Sequence, residues 1–343
     1  MAAVMGSSLA ACGGGSSSGT TAAPAATTAA AETKAAEEGK GEAAPAAESW
    51  KPTSAVSIIV PAGAGGDTDL TARLFAQYAK ELTGVDFVVV NANGASGSVA
   101  ANQVLSAAPD GHTFLYGHNL VNVANVAGIT DYNYSAFKLG PTFVKEPAQQ
   151  LYVNAEKYAD LNAFIEAAKA APGQLKACTE VGAYTYYEIL LFQQVAGIEL
   201  DLVDVGSNAD KITAMLSKQV DLMPGSFINT RDYIEAGQFR CLGVPGDEVP
   251  DYMVDAGVKT FKEQGVDLDY PSLDFSFYFP KDTPDEVIAW YESITEQICG
   301  NEQALQSMKD MQVEPYYLSA ADSEKNDEAY YNIFKTVGDS VNK

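Results

Sequence analysis

Apolar and polar positions alternate along the chain in a way that predicts short buried strands followed by amphipathic helices. The first strand is the β-branched run at 56–60, and the helix after it carries apolar residues every fourth position, at Leu70, Leu74, Tyr78 and Leu82. We expect Asp67, Thr68 or Asp69 to cap the start of this helix and Gly84 to cap its end. The stretch therefore predicts a strand, a tight turn and a helix.

A second unit of the same kind follows directly. A buried strand at 87–90 leads into a glycine-rich loop at 91–98 and a helix at 99–108, and a turn at 109–111 opens a third strand at 112–116. Successive units of this kind form parallel strands, and open α/β sheets bind ligands at the carboxyl ends of such strands. The two glycine-rich loops are therefore expected to lie side by side.

The glycines in both loops allow sharp turns that point backbone N–H groups outward. Beside a helix N-terminus, such groups form a place where a carboxylate or a phosphate docks. A plain strand-to-helix turn is an alternative explanation for the first loop. A dinucleotide site is disfavoured, because the spacing Gly63-x-Gly65-Gly66 differs from G-x-G-x-x-G and the second strand ends in Asn91 rather than in an acid.

Three segments of this region resemble a known protein family. The sequences VPAGAGGDTDLTAR, NANGASGSVAA and APDGHTF are similar to those of the extracytoplasmic solute receptors of tripartite tricarboxylate transporters, the Bug-type binding proteins. Later segments follow in family order, among them AAPGQLKACTEVG, KQVDLMPGS and FYFPKDTP, so the resemblance covers about 54–300. The chain departs from the family pattern at 203–207, at 224–225 and at Tyr186, and these departures leave the ligand open.

The rest of the chain keeps the α/β rhythm. Strands are predicted at 151–153, 175–179, 200–203, 220–223 and 239–244, and helices at 161–171, 184–196, 210–218 and 228–236. The resemblance implies a two-lobed α/β fold of the type II periplasmic-binding-protein class, in which each lobe is a mixed sheet flanked by helices and a ligand cleft lies between the lobes. We expect lobe 1 at 54–152 plus 241–343 and lobe 2 at 153–240, and a length of 343 residues suits two lobes.

The first residues indicate a membrane anchor. The sequence L-A-A-C before G-G-G-S resembles a bacterial lipobox, so residues 1–12 are interpreted as a partial lipoprotein signal that ends in a lipidated Cys12. Residues 13–50 are predicted to form a disordered Ala/Gly/Ser-rich tether, because 13–49 contain no apolar residue larger than alanine. A disordered tail with an accidental cysteine is the alternative.

Charge narrows the range of partners. The chain has 21 Lys and Arg against 45 Asp and Glu, a net charge of -24, which disfavours nucleic acid and anionic membrane surfaces. No apolar run approaches the ~18 residues that a membrane span requires. We therefore expect the chain to contact the membrane through its lipid anchor alone. The family resemblance and the lipobox imply an extracytoplasmic location, and we expect a monomer.

No catalytic or metal-binding pattern is visible. Cys178, Cys241 and Cys299 are scattered among apolar residues and are interpreted as buried free thiols rather than as one disulfide with a leftover. His112 and His118 are the two histidines, and neither has the spacing of a zinc site. No nucleophile elbow or H-E-x-x-H motif occurs. We therefore expect no enzyme activity, no metal and no cofactor.

The ligand is expected to dock on the glycine-rich loops of lobe 1 while lobe 2 closes over it. The resemblance implies a small carboxylate, which we expect backbone N–H groups and hydroxyls to hold without a basic residue. The candidate ligand-binding residues are Gly63, Ala64, Gly65, Gly66, Thr68, Asp69, Asn93, Gly94, Ala95, Ser96, Gly97, Gly182, Ala183, Tyr184, Thr185, Ser207 and Ser226.

Taken together, the sequence predicts a solute-binding lipoprotein that captures a small organic acid and delivers it to integral-membrane subunits of a tripartite tricarboxylate-type transporter. Two other classes stay open. A ligand-sensing or interaction module on the cell surface would fit the tether, but it would not need two glycine loops beside a cleft. An enzyme with an interlobe cleft should show a nucleophile paired with a base, or metal ligands.

Overall fold

The structure, a computed structural model, describes residues 50–341 as three sheets with helices packed on their faces. The strands are β1 (Val56–Val60), β2 (Phe87–Asn91), β3 (Thr113–Gly117), β4 (Phe137–Glu146), β5 (Gln150–Asn154), β6 (Lys176–Thr179), β7 (Asp201–Asp204), β8 (Met223–Gly225), β9 (Phe239–Gly243), β10 (Leu273–Pro280) and β11 (Glu314–Leu318). The helices are α1 (Asp67–Thr83), α2 (Ser98–Leu105), α3 (Leu120–Val126), α4 (Leu161–Ala170), α5 (Tyr184–Ala196), α6 (Asn208–Leu216), α7 (Phe227–Glu235), α8 (Asp251–Val254), α9 (Asp285–Cys299), α10 (Glu302–Met311) and α11 (Ala320–Val341).

The first lobe is built on a six-stranded mixed sheet of order β11-β4-β10-β3-β1-β2. β1 pairs in parallel with β2 on one side and with β3 on the other, whereas β10 runs antiparallel to both β3 and β4. The prediction of two successive strand–loop–helix units is confirmed. Because β1 and β2 are parallel neighbours, the loops that follow them lie at the same edge of the sheet.

Aromatic side chains form the centre of lobe 1 between this sheet and helices α1 and α9. Phe277 of β10 contacts Phe75 of α1 and Phe114 of β3, with ring centroids 4.7 and 4.8 Å apart, and Tyr291 of α9 packs edge-on against Phe114. All four side chains are buried. Fully burying one such ring contributes about 1.5–3 kcal/mol, so this cluster fixes α1, and with it the first glycine loop, against the sheet.

The second lobe contains a three-stranded sheet of order β8-β5-β9 and a parallel pair formed by β6 and β7. A bridge between Ala177 and Leu222 joins the pair to the end of the three-stranded sheet. The hydrophobic core of this second lobe includes Phe164 of α4, Phe192 of α5 and Phe261, all of them fully buried. The mixed sheets flanked by helices confirm the predicted two-lobed α/β fold class.

The residue boundaries of the lobes stay a prediction. The predicted lobe boundaries after residue 152 and after residue 240 would fall inside β5 and β9. These two strands pair with each other in the lobe 2 sheet. Phe261 and Leu268, after the second break, also belong to the core that contains Phe164 and Phe192. We therefore propose to move the crossings to 147–149 and to 269–272.

Most predicted elements occur within a few residues of their expected limits, and α5 spans the predicted 184–196. Gly84 caps α1 in the left-handed conformation, as predicted, but the expected side-chain cap at the other end is wrong. Gly66 is the N-cap residue, and no side chain caps the helix there. Cys12 and the tether through Ser49 lie outside the described residues. Trp50, the last predicted tether residue, packs against Trp290 with ring centroids 5.3 Å apart.

Candidate ligand-binding site

The first glycine loop is held in place by Asp69, in the first turn of α1. Its carboxylate accepts hydrogen bonds from the backbone N–H of Gly65 at 2.8 Å, from Asn91 Nδ2 at 2.9 Å and from Arg73 Nε at 3.0 Å. Burial opposes ionisation, but the bonds from Arg73, Gly65 and Asn91 outweigh it and lower the pKa of Asp69. Asp69 therefore joins loop, helix and second strand, which is a structural role.

Asp67, the first residue of α1, lies between the two lobes. Its Oδ1 accepts from the backbone N–H of Thr68 at 2.7 Å and from the Thr68 hydroxyl at 3.2 Å. Its Oδ2 accepts from Ser226 Oγ of lobe 2 at 2.6 Å and from Gln149 Nε2 at the crossing at 3.3 Å. A carboxylate has about four lone-pair sites. Asp67 is therefore saturated with protein donors.

The second glycine loop has an unusual backbone. Gly94, Ala95, Ser96 and Gly97 all have positive φ, at 135°, 46°, 51° and 86°. Left-handed conformations at two residues with a Cβ cost energy and occur most often at functional sites. At Gly97 a side chain would also meet Leu120, because an added Cβ would overlap with Leu120 Cδ1. The loop therefore requires glycine at this position.

The lobes meet through hydrogen bonds at both glycine loops. The backbone N–H of Ser96 donates to Glu180 Oε1 at 3.2 Å, and the Ser96 hydroxyl donates to the Val181 carbonyl at 3.3 Å. At the first loop, Asn229 Nδ2 donates to the Gly65 carbonyl at 3.0 Å. These contacts bring the loop before α5 and the helix α7 of lobe 2 against the loops at the edge of the lobe 1 sheet.

A cavity of ≈ 110 Å³ lies between these loops. Eleven of the predicted ligand-binding residues line it, namely Gly63, Ala64, Gly66, Thr68, Asn93, Ser96, Gly97, Ala183, Tyr184, Thr185 and Ser207. The structure thus brings together residues from two lobe 1 loops and two lobe 2 loops. The volume of the cavity suits a small molecule rather than a peptide.

Six predicted residues do not line the cavity, namely Gly65, Asp69, Gly94, Ala95, Gly182 and Ser226. Gly65 turns the loop with a φ of +83°, and its N–H is used by Asp69. Gly182 packs towards Ile129, where an added Cβ would come within 2.8 Å of Cδ1. Ser226 donates to Asp67 rather than pointing into free space. These residues support the shape of the site.

Sequence reasoning missed several polar residues of the cavity wall, chiefly His118, Gln149 and Lys211. Lys211 on α6 has a relative exposure of 5%, and its Nζ lies 3.5 Å from the hydroxyl of Thr185. A signal was present, since Lys211 stands three and four positions before the buried Ala214 and Met215, on the apolar face of α6.

Lys211 differs in charge from the other residues that sequence reasoning missed in the cavity wall. Burial lowers the pKa of His118 to about 4, with Lys211 acting in the same direction and Asp67 opposing, so this imidazole is neutral at pH 7. Lys211 is thus the one cationic side chain among the described residues that line the cavity. Behind it on α5, burial raises the pKa of Glu188 well above its usual value although Lys211 opposes the shift.

Comparison with known proteins identifies relatives along most of the chain. A sequence model of the family described as "Tripartite tricarboxylate transporter family receptor" matches residues 71–332. A UPF0065 protein of Agrobacterium vitis is 30% identical over 242 residues, which is 68% of either chain. The protein BugT of Bordetella pertussis is 24% identical over 257 residues, 72% of this chain and 77% of its own.

Solved structures share the fold. R. palustris Rpa4515, solved with adipate, superposes with a TM-score of 0.78 at 24% identity and covers 85% of this chain and 98% of its own. MatC from Rhodopseudomonas palustris, solved with bound malate, has a TM-score of 0.77 at 21% identity, with 84% and 100% covered. At these identities the likeness establishes the two-lobed fold.

Proposed function

This chain belongs to the tripartite tricarboxylate transporter receptor family, and we propose that it captures a small organic acid between its two lobes outside the cytoplasm. The observation that carries the proposal is the cavity at the meeting point of both glycine loops with the loops of lobe 2. The adipate and malate bound to two proteins of the same fold support a carboxylate as the ligand.

The first loop and the start of α1 supply donors for such a carboxylate. In the described part of the chain, the backbone N–H groups of Gly63, Ala64 and Gly66 have no hydrogen-bond acceptor, and all three residues line the cavity. Asn93 lines it too and adds an amide donor, whereas the hydroxyl of Ser207 already donates to Asp210 Oδ2 at 2.7 Å. Hydrogen bonds to a charged group contribute about 1.5–3 kcal/mol each, so three of them hold one carboxylate.

Titration of the purified protein with adipate and malate tests this function. A carboxylate that binds should raise the free energy of unfolding by about 2.7 kcal/mol when it is present at a hundred times its dissociation constant. The acid should be recovered unchanged, because the family is a receptor class. Failure of every small carboxylate to bind, or chemical conversion of the one that does, would contradict the proposal.

We further propose that Cys12 carries a lipid anchor and that the loaded receptor docks on integral-membrane transporter subunits. The lipobox-like sequence L-A-A-C before a core-free tether supports the anchor, and membership of the family supports the transporter. When a complete signal is supplied in a bacterium, the protein should fractionate with membranes and a Cys12→Ala variant should not. Equal release of both would refute the anchor.

A further inference from the structure

Lys211 is a buried cation without an anion. Its relative exposure is 5%, and the hydroxyl of Thr185, at 3.5 Å, is the one hydrogen-bond partner of Nζ among residues 50–341. No carboxylate of these residues lies within 4 Å of Nζ. Buried charges in folded proteins are normally paired, since an isolated ion loses its hydration without compensation. The position therefore needs an anionic partner that enters the cavity.

Glu188 is the carboxyl group on the adjacent helix that could neutralise Lys211, and the geometry argues against this. Its side chain is fully buried, and within the described residues neither carboxyl oxygen has a hydrogen-bond partner. An ionised carboxylate in that position would need donors that it does not have. Glu188 is therefore a neutral group behind Lys211 rather than its counter-ion.

The two acidic side chains in the cavity wall already accept hydrogen bonds from the protein. Asp67 accepts four hydrogen bonds from Thr68, Gln149 and Ser226, which leaves it no capacity for an amine or a second lysine. Glu180 accepts the N–H of Ser96 from lobe 1 through one oxygen, and its carboxyl group does not favour an anion. Lys211 is thus the cationic group of the cavity wall that is available to an anionic ligand.

We propose that Lys211 determines specificity by binding one anionic group of the ligand, so that the receptor prefers a dicarboxylate to a monocarboxylate of the same length. This inference rests on the proposed function, in which the loops of lobe 1 bind the first carboxylate. The second carboxylate then reaches Lys211 on lobe 2, which gives the ligand one charged contact on each lobe. Such a ligand stabilises the closed arrangement more than a monocarboxylate does.

The experiment measures dissociation constants by calorimetry for matched pairs of acids: succinate and butyrate, glutarate and pentanoate, adipate and hexanoate, with malate added. The variants are Lys211→Met, Lys211→Arg and Lys218→Met. Lys218 follows α6, is exposed and pairs with Glu156 at 2.9 Å, so it is a matched control for loss of a lysine near the same helix. Circular dichroism confirms that each variant is folded.

The readout is the ratio of monocarboxylate to dicarboxylate dissociation constants within a pair. Truncating one member of a buried charge pair weakens binding at least about 30-fold, so Lys211→Met should lose that factor for the diacid and bring the ratio towards one. Lys211→Arg should keep part of the preference, and Lys218→Met should keep all of it. A change that only damages the structure would weaken both acids of a pair equally.

Three outcomes overturn the inference while leaving the proposed function intact: an unchanged ratio in Lys211→Met, equal weakening of both acids, or a wild-type protein that prefers the monocarboxylate. Failure of every acid to bind to the wild-type protein refutes the proposed function itself. The two failures are thus distinguished by whether the wild-type protein binds any acid of the series.

Discussion

At the scale of single residues, Asp327 on α11 shows how a buried carboxyl couples folding to pH. It accepts hydrogen bonds from Asn122 Nδ2 at 2.7 Å and from the Tyr278 hydroxyl at 3.0 and 3.1 Å. Burial raises its pKa to about 7, although the bonds from Tyr278 and Asn122 oppose the shift. Between about pH 4 and pH 7, the folded state therefore keeps a proton that the unfolded state has released.

The direction of the pH dependence of stability follows from this proton, which the folded state retains. The free energy of unfolding should fall as pH rises through that window, by up to about 1.4 kcal/mol per pH unit, and should level off above it. In Asp327→Asn the fall should be shallower, because an amide keeps a neutral acceptor at every pH. Urea unfolding of both proteins across the window checks the difference. Asp232→Asn on the surface is the control, and parallel curves for wild type and Asp327→Asn would disprove the assignment.

Residue-level reasoning from sequence succeeds where one residue has one local role. Gly84 was predicted as a helix cap because the apolar pattern stops there, and it has a φ of +74°. Lys211 and Glu188 were missed, although each lies on the buried face of its helix. Sequence reasoning treats a charge at such a position as an exception to the apolar pattern, and the tertiary structure reveals that Lys211 lines a cavity and that Glu188 lies behind it.

At the scale of elements, the second glycine loop depends on a close approach between Gly97 and α3. An alanine at Gly97 should cost about 1–2 kcal/mol for the left-handed backbone and about 1–3 kcal/mol more for contact with Leu120. Gly84→Ala is the matched control, because Gly84 also has positive φ but has open space around its added Cβ. Chemical denaturation of both variants should show that Gly97→Ala costs more.

The double variant Gly97→Ala with Leu120→Ala isolates the contact. Removing the Leu120 side chain should lower the cost of the alanine at Gly97 to that of the Gly84 control, because only the backbone contribution then remains. If Gly97→Ala and Gly84→Ala lower the free energy of unfolding by the same amount in the wild-type background, the close approach to Leu120 does not contribute to stability.

Elements bounded by clear start and stop signals were predictable, and those with a mixed pattern were not. α5 is a largely apolar run that ends at the helix-capping Gly197, and it was predicted to the residue. β4 was missed, although it is the longest strand in the described part of the chain. Gly140 and Pro141 interrupt it, and its pairing with β10 is irregular between Leu139 and Thr142. The proline is tolerated at this irregular stretch, which local propensity does not reveal.

At the scale of the whole molecule, the net charge of the chain repels an anion that the local donors of the site attract. The chain carries a net charge of -24, whereas the lining of its cavity presents Lys211 and unpaired backbone N–H groups. A dicarboxylate that approaches from solution is therefore repelled at long range and attracted at short range. Salt screens charges in solution over about 10 Å at 0.1 M, while contacts inside a closed cavity are screened much less.

The rate of association should therefore rise with salt while the rate of dissociation changes little. For adipate, or whichever diacid of the series binds most tightly, we expect the association rate to increase several-fold between about 0.01 and 0.2 M sodium chloride, because the repelling field is shortened from about 30 Å to less than 10 Å. Stopped-flow fluorescence measures both rates, with sucrose at matched viscosity as a control. An association rate that falls with salt would mean that a local positive field around Lys211 extends beyond the cavity mouth and overcomes the charge of the whole chain.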